Sequence, residues 1–233
     1  MQTVIKGISS MATRQLLTEM AAAFERQSGC VVSFESVGGV DAVKRLQGAE
    51  VFDLAVLASD AIDKLIAAGH IRAGSKVDLV RSGVAVAVRA GAALPDISSE
   101  DAVRLAVRAV RSVSYSTGPS GVALARLFER WGIADEIQSR LVQAPPGVPV
   151  ATLVASGQVG LGFQQLSELM HVEGVTVVGP LPPAIQITTT FSAGIPTRAS
   201  ADSSRAEQVR ALLEFITSPQ AAEAKRQQGM EPA

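Results

Sequence analysis

Aromatic residues are scarce in this chain. One tryptophan, one tyrosine and seven phenylalanines make up 4% of 233 residues. A groove of stacked aromatic rings of the kind that holds sugars is therefore not expected. The single cysteine, Cys30, excludes an internal disulfide and a cysteine-rich metal site. It follows Gly29 at the start of an apolar run and reads as a buried thiol. The two histidines, His70 and His171, are too isolated to share a metal, and no metal or cofactor is expected. Charged residues are few, at 18%, and the net charge is -1, so no basic face for nucleic acid is implied. No apolar run approaches the roughly 20 residues needed to cross a bilayer, so membrane insertion is not expected. No charged-then-apolar leader precedes Thr3-Val4-Ile5, which as written predicts a cytoplasmic protein. A chain whose signal had been removed would read identically and be periplasmic.

What is present is an alternation of strand and helix patterns in a chain that is 47% hydrophobic. Thr3–Ile8 and Cys30–Phe34 read as strands around a helix over Thr13–Gln27, whose Leu16, Leu17, Met20 and Phe24 recur at helical spacing. Val40–Leu46 reads as a short helix. Val51–Ala58 is nearly continuous apolar sequence, as in a central parallel strand, and a helix follows Ser59-Asp60. The pattern recurs downstream. Strands are expected over Gly83–Val88, Arg111–Ser116, Val159–Phe163 and Val175–Val178. Helices are expected over Ser99–Ala109, Val122–Trp131, Ala134–Leu141, Val150–Ala155 and Gln165–Met170. Pro145-Pro146-Gly147 reads as a loop, Ile185–Ser192 as β-rich, and Ser204–Ile216 and Ser218–Gln228 as closing helices. Repeated βα units with short loops predict an α/β fold of mainly parallel sheets flanked by helices. Leu79–Gly83 and Ile187–Ala193 are extended and lack a helix pattern, as expected where a chain changes lobe. Two such crossings predict one lobe from residues 1–81 plus 187–233, a second from 82–186, and a ligand cleft between them.

Four junctions carry the chemistry. An apolar β-branched run ends in small hydroxyl, glycine or amide residues, and a helix pattern follows, at Gly7-Ile8-Ser9-Ser10, Ser36-Val37-Gly38-Gly39, Ser116-Thr117-Gly118-Pro119-Ser120-Gly121 and Gly162-Phe163-Gln164-Gln165. Helix N-termini expose unpaired N–H groups and the positive end of the dipole, so such ends suit an oxyanion or carboxylate. Ser9 and Ser10 also have a plain role as strand end or helix cap, and Gly38-Gly39 as a tight turn. Thr117, Ser120 and Gly121 are well suited to presenting N–H groups. Gln164 and Gln165 form an amide pair at a strand end. Arg14 stands in a first helical turn, where a cation opposes the dipole; a ligand carboxylate would offset that, and a solvent-facing arginine is the plain alternative.

Several of these segments together resemble the type II periplasmic solute-binding proteins, and within them the molybdate-binding-protein-like group. The resemblance rests on Val4-Ile5-Lys6-Gly7-Ile8-Ser9-Ser10, on Phe52-Asp53-Leu54-Ala55-Val56 followed by Ser59-Asp60, and on Ser82-Gly83-Val84-Ala85-Val86-Ala87-Val88. It also rests on Gly118-Pro119-Ser120-Gly121-Val122-Ala123, Val159-Gly160-Leu161-Gly162-Phe163 and Ser218-Pro219-Gln220-Ala221-Ala222. It implies the two-lobed type II fold and a small anion held between lobes by hydroxyl and N–H donors. The liganded protein would dock on an ABC permease. The family's contact positions fall on Ser9 or Ser10, on Gly38, Gly39 and Val40, on Ser120, near Val148, and on Gln165. Glycines replace hydroxyls at the second position and an amide replaces a tyrosine at the last, which makes a di- or tricarboxylate as plausible a ligand as molybdate.

Some members of this group are similar to aconitate isomerase, which gives a second reading, an enzyme acting on a tricarboxylate in the same cleft. That chemistry needs a base, for which Asp41, Glu168 and Tyr115 are the candidates. A ligand-sensing domain cut from a regulator is a third reading, and the chain carries no DNA-binding segment to support it.

Overall fold

The computed structural model describes residues 4–145 and 147–233; Thr3, expected to open the first strand, and Pro146, expected in a loop, lie outside the described residues. In chain order the strands and α-helices are β1 (Val4–Ser10), α1 (Arg14–Ser28), β2 (Val31–Val37), α2 (Gly39–Gln47), β3 (Leu54–Ala58), α3 (Ser59–Ala67) and β4 (Val77–Arg89). There follow α4 (Glu100–Ala109), β5 (Val113–Tyr115), α5 (Pro119–Arg130), α6 (Ala134–Ile137), β6 (Leu141–Gln143), α7 (Val150–Ala155), β7 (Leu161–Gln165) and α8 (Leu166–Leu169). The chain closes with β8 (Val175–Pro180), β9 (Thr188–Gly194), α9 (Ser203–Thr217), α10 (Ala222–Gln227) and β10 (Met230–Pro232).

The chain divides into two compact units, Met1–Arg81 with Thr190–Ala233, and Ser82–Thr189. It passes from one to the other inside β4 and inside β9.

In the first unit, β1 lies between β2 and β3, parallel to both. β9 adds antiparallel to β3, with Ala55 opposite Gly194 and Ala58 opposite Phe191. Both faces of this sheet are covered. Leu16, Leu17, Met20 and Phe24 of α1 join Val209, Leu212 and Ile216 of α9 over Ile5, Leu54 and Val56. Ala42 and Leu46 of α2 join Ile62 and Leu65 of α3 over Ile8, Ala55 and Leu57. All five residues of β3 are buried, which is why its sequence reads as unbroken apolar rather than alternating. Gly29, at φ 72°, closes α1 in the left-handed conformation that glycine adopts without penalty. Two polar ties hold the outer pieces. Asp53 accepts from the Lys6 N–H at 2.9 Å and faces Arg205 of α9 at 3.6 Å. The buried Lys225 of α10 donates to the Leu79 carbonyl at 3.0 Å, and burial lowers its pKa.

In the second unit β5 lies between β6 and β7, parallel to both. β4 pairs antiparallel with β7 and with β8. Val103 and Val107 of α4, and Leu124, Leu127 and Phe128 of α5, pack on Val84, Val86, Leu161 and Phe163. The opposite face carries α7 and α8. A Cβ at Gly162 would stand 2.5 Å from Val154 and 2.9 Å from Val150, so only glycine lets α7 lie this close to β7. α4 starts at the expected cap, the Ser99 hydroxyl accepting from the Ala102 N–H at 3.1 Å.

The architecture is therefore α/β, with parallel strands forming the heart of each sheet and antiparallel strands added beside them. Three elements differ from the sequence pattern. The helix expected over Ala134–Leu141 ends at Ile137, a 3-10 turn covers Gln138–Arg140, and Leu141 opens a strand instead. Met230–Pro232 is a further strand, and β4 begins at Val77 rather than Gly83.

Candidate functional site

Parallel pairing sets the geometry of the candidate donors in the first unit. Ser9 of β1 stands opposite Ser36 of β2, and Ser10 opposite Val37, so the first two serine–glycine junctions end side by side at the carboxyl edge of one sheet. The Ser9 and Ser36 hydroxyls lie 2.8 Å apart and hydrogen-bond. Ser9 is wholly buried. Ser10 is 8% exposed, and its Oγ finds no hydrogen-bond partner among the described residues. Beyond Val37, Gly38 is the N-cap of α2 and Gly39 its first residue, with no side-chain cap. The Ala42 N–H is satisfied by the Gly38 carbonyl. The N–H groups of Gly39, Val40 and Asp41 belong to the first turn, which has no intrahelical acceptors. The Val40 side chain is about half exposed. Arg14 opens α1, is exposed, and has no acid in its first turn.

The second unit repeats this arrangement. Tyr115 of β5 stands opposite Gln143 of β6 on one side and Phe163 of β7 on the other. The segments that follow these three strands therefore leave the same carboxyl edge. The segments after β5 and β6 hold Thr117, Ser120 and Gly121, then Val148, and Gln164 and Gln165 are the last two residues of β7 itself. Ligands of open α/β sheets bind at this edge. α5 begins at Pro119, three residues before the expected start, so Ser120 and Gly121 lie within its first turn. Gly118 is the N-cap, again without a side-chain cap. Ser120 is 6% exposed, with its hydroxyl 3.4 Å from that of Ser116. Thr117 is half-buried in the loop before the cap.

Two expected donors are occupied locally. The Gly121 N–H donates to Gly118 at 3.0 Å, and the Val148 N–H to Pro145 at 3.0 Å. Gly121 also has a packing role. A Cβ there would lie 1.8 Å from the Ser116 carbonyl oxygen, so no other residue fits beneath this turn.

The amide pair is split by the pleat. Gln165 shares the face of Leu161 and Phe163, and Gln164 the face of Gly162 beneath α7. Both are buried, at 3% and 4% exposure. The Gln165 Nε2 donates to Thr189 Oγ1 at 2.8 Å, and the Gln164 Nε2 to Glu168 Oε1 at 2.8 Å. The Oε1 atoms of both glutamines, and the Ser167 hydroxyl, have no partner among the described residues. Such groups are uncommon in folded proteins and are costly unless something fills them. Burial pushes the Glu168 carboxyl up to about 7, against the smaller opposing effect of the Gln164 hydrogen bond.

Of the other two base candidates, Asp41 is half-buried in the first turn of α2, and Tyr115 packs against the core under α5. Ser36, Ser116 and Thr189 were not singled out from the sequence, yet each hydrogen-bonds an expected site residue. The first two lie inside the serine–glycine junctions, which was the available signal. Among the described residues no group of three or more His, Cys, Asp and Glu side chains is placed to hold a metal, and no helix is long and apolar enough to cross a membrane.

The chain matches the model of the bacterial extracellular solute-binding protein family over residues 5–231. It belongs to that family. It is 36% identical to an aconitate isomerase from a Pseudomonas species, over 99% of this chain and 88% of the relative. Among solved structures it is similar to the periplasmic molybdate-binding protein of Azotobacter vinelandii, with a TM-score of 0.78 and 21% identity over 97% of this chain and 98% of the other. It is also similar to the sulfate-binding protein of Mycobacterium tuberculosis, with a TM-score of 0.76 and 16% identity over 100% of this chain and 88% of the other. At these identities the two structures establish the fold, which is the type II periplasmic-binding-protein fold.

Proposed function

We propose that this protein binds a small di- or tricarboxylate through the hydroxyl and N–H donors at the carboxyl ends of β1, β2, β5 and β7. The observation that carries the reading is the gathering of these donors at one edge of each sheet by parallel pairing. A carboxylate is favoured over a tetrahedral oxyanion by the glycines that stand where the resemblance places hydroxyls, which leave backbone N–H donors in place of side-chain ones. Arg14 supplies a cation at the edge of the first half-site, suited to bidentate pairing with a carboxylate.

A second reading is supported by the full-length likeness to aconitate isomerase. On it, the bound tricarboxylate has its double bond moved within the same site. As a transport component the liganded protein would dock on an ABC permease; as an enzyme it would need no such partner. The family's description supports an extracellular or periplasmic place of work for either role.

Thermal unfolding with cis- and trans-aconitate, citrate, molybdate, tungstate and sulfate tests the proposal. The carboxylates are expected to raise the midpoint, and stabilisation by the inorganic oxyanions alone would refute it. An ultraviolet assay of aconitate interconversion then separates binder from enzyme.

A further inference from the structure

We propose that Gly39 sets the size of the ligand: the bare backbone at the first residue of α2 keeps open the room that the carbon skeleton of a polycarboxylate fills. This deepens the carboxylate reading above and rests on it.

Glycine serves this fold in two evident ways. Some glycines take a left-handed backbone, as Gly29 does at φ 72°. Others stand where a Cβ would collide, as at Gly162, 2.5 Å from Val154, and at Gly194, 2.8 Å from Ile71. Gly39 answers to neither need. It is helical, it is not among the glycines of positive φ, and a Cβ built on it would meet no heavy atom within 4 Å among the described residues. The entry into α2 does not call for it either, since Gly38 before it has an ordinary extended backbone, at φ -57° and ψ 139°. Glycine favours a helix less than any residue but proline. A small helix penalty therefore persists at Gly39 with no gain in turn geometry or packing. Gly118, the N-cap of α5, is a second glycine of this kind. Its φ is -77°, and its Cβ would make only an ordinary contact, 3.7 Å from Ser116 Oγ.

The second observation is the Ser10 hydroxyl. On β1, Ile8 packs with Ala42 and Leu46 of α2. Alternation along the strand puts Ser10 on the same face as Ile8, and the Ser10 backbone is still extended, at φ -73° and ψ 155°. Ser10 stands opposite Val37, which packs on that same cluster and leads directly into Gly38 and Gly39. The hydroxyl is thus aimed at the start of α2. It belongs to a residue only 8% exposed, and its Oγ has no partner among the described residues. Buried hydroxyls are seldom left so. An anion held by the first-turn N–H groups of α2 would also accept from Ser10. Val40, the next residue, leaves about half its side chain exposed. Such an apolar surface suits carbon better than a fully oxygenated inorganic anion. Open room, an unpaired donor and an apolar neighbour at one helix end together fit a carboxylate carried on a carbon chain.

The test uses the full chain with Gly39→Ala and Gly39→Ser as variants and trans-aconitate and citrate as probes. Affinity is measured by calorimetry, and the midpoint without ligand by thermal unfolding. Gly39→Ala should hold or raise the midpoint, by up to about 4 °C, because the methyl group has room and the unfolded chain loses freedom. The same substitution should weaken binding of both probes by roughly tenfold or more. A residue that mattered only to the fold would not move stability and affinity in opposite directions. Gly39→Ser separates room from donor chemistry: it adds a hydroxyl, yet should weaken binding as Gly39→Ala does. Binding by Gly39→Ala within about threefold of wild type would overturn the proposal and leave the carboxylate reading standing. A serine variant that binds as wild type does would overturn it too, since donors rather than room would then govern. So would a lowered midpoint for Gly39→Ala, since the glycine would then serve the fold. A wild-type chain that takes up neither probe would overturn both the proposal and the carboxylate reading.

Discussion

Replacing Glu168 with glutamine should stabilise this protein, and by an amount that depends on pH. Glutamine keeps the size of the side chain and an Oε1 to accept the Gln164 hydrogen bond, so the substitution removes mainly the ionisable character. The folded-state value is raised from the ordinary 4.5 to about 7. The folded protein therefore holds this proton more tightly than the unfolded chain does. Stability contributed by the protonated form is intact below the unfolded value and is lost as pH rises through the folded one. Linkage at about 1.4 kcal/mol for each pKa unit makes the wild-type penalty about 1 kcal/mol at pH 5 and about 3 kcal/mol at pH 8. The variant escapes it. For a chain of this length about 3 kcal/mol corresponds to roughly 5–10 °C in midpoint. Thermal unfolding of the two proteins at pH 5, 6, 7 and 8 measures the difference directly. A gap that widens with pH supports a part-buried carboxyl whose desolvation outweighs its Gln164 hydrogen bond. A gap of the same size at every pH, or a variant less stable at pH 8, would refute it.

Other substitutions test the packing and the donors. Gly121→Ala forces a methyl group to within 1.8 Å of the Ser116 carbonyl and should cost several kcal/mol, about 2–4, in urea unfolding. Asp202→Ala removes the side chain that accepts from Ser204 and Arg205 at the start of α9; about 1 kcal/mol of stability should be lost with no change in ligand affinity. Ser120→Ala and Ser9→Ala each remove a buried hydroxyl at a proposed half-site. Each should weaken ligand binding by roughly tenfold, about 1.4 kcal/mol, as read by calorimetry.

Much of this structure is legible in the chain, for reasons that can be named. Leu16, Leu17, Met20 and Phe24 recur at helical spacing because that face of α1 is buried, and Leu54–Ala58, the later part of the strand expected over Val51–Ala58, reads as unbroken apolar sequence because β3 is covered on both sides. What failed did so where local pattern is weak. β6 and β10 are three residues each, too short to show alternation, and Leu141 continues the apolar spacing of the helix before it. The first half of β4 is interrupted by Asp78 and Arg81, so its sequence resembles a linker. α5 starts early because Pro119 suits the first helical position, where its missing N–H is no loss.

The candidate site divides in the same way. The four junctions are visible in sequence because hydroxyl and glycine residues cluster where apolar runs stop. Their side-by-side placement is not visible. It depends on β1 pairing with β2, and on β5 pairing with both β6 and β7, which are distant along the chain. Glu168 could be named as an acid near a strand end. Its raised pKa comes from desolvation where α8 packs against α7, β7 and β8, and a single stretch of sequence does not show that.

Recognition of a small polycarboxylate is the claim on which the rest depends. Titration calorimetry of the wild-type chain with trans-aconitate, repeated in the presence of saturating molybdate, tests it most directly. The account predicts saturable one-to-one binding of trans-aconitate that molybdate leaves unchanged. Heat from molybdate together with none from trans-aconitate would contradict it.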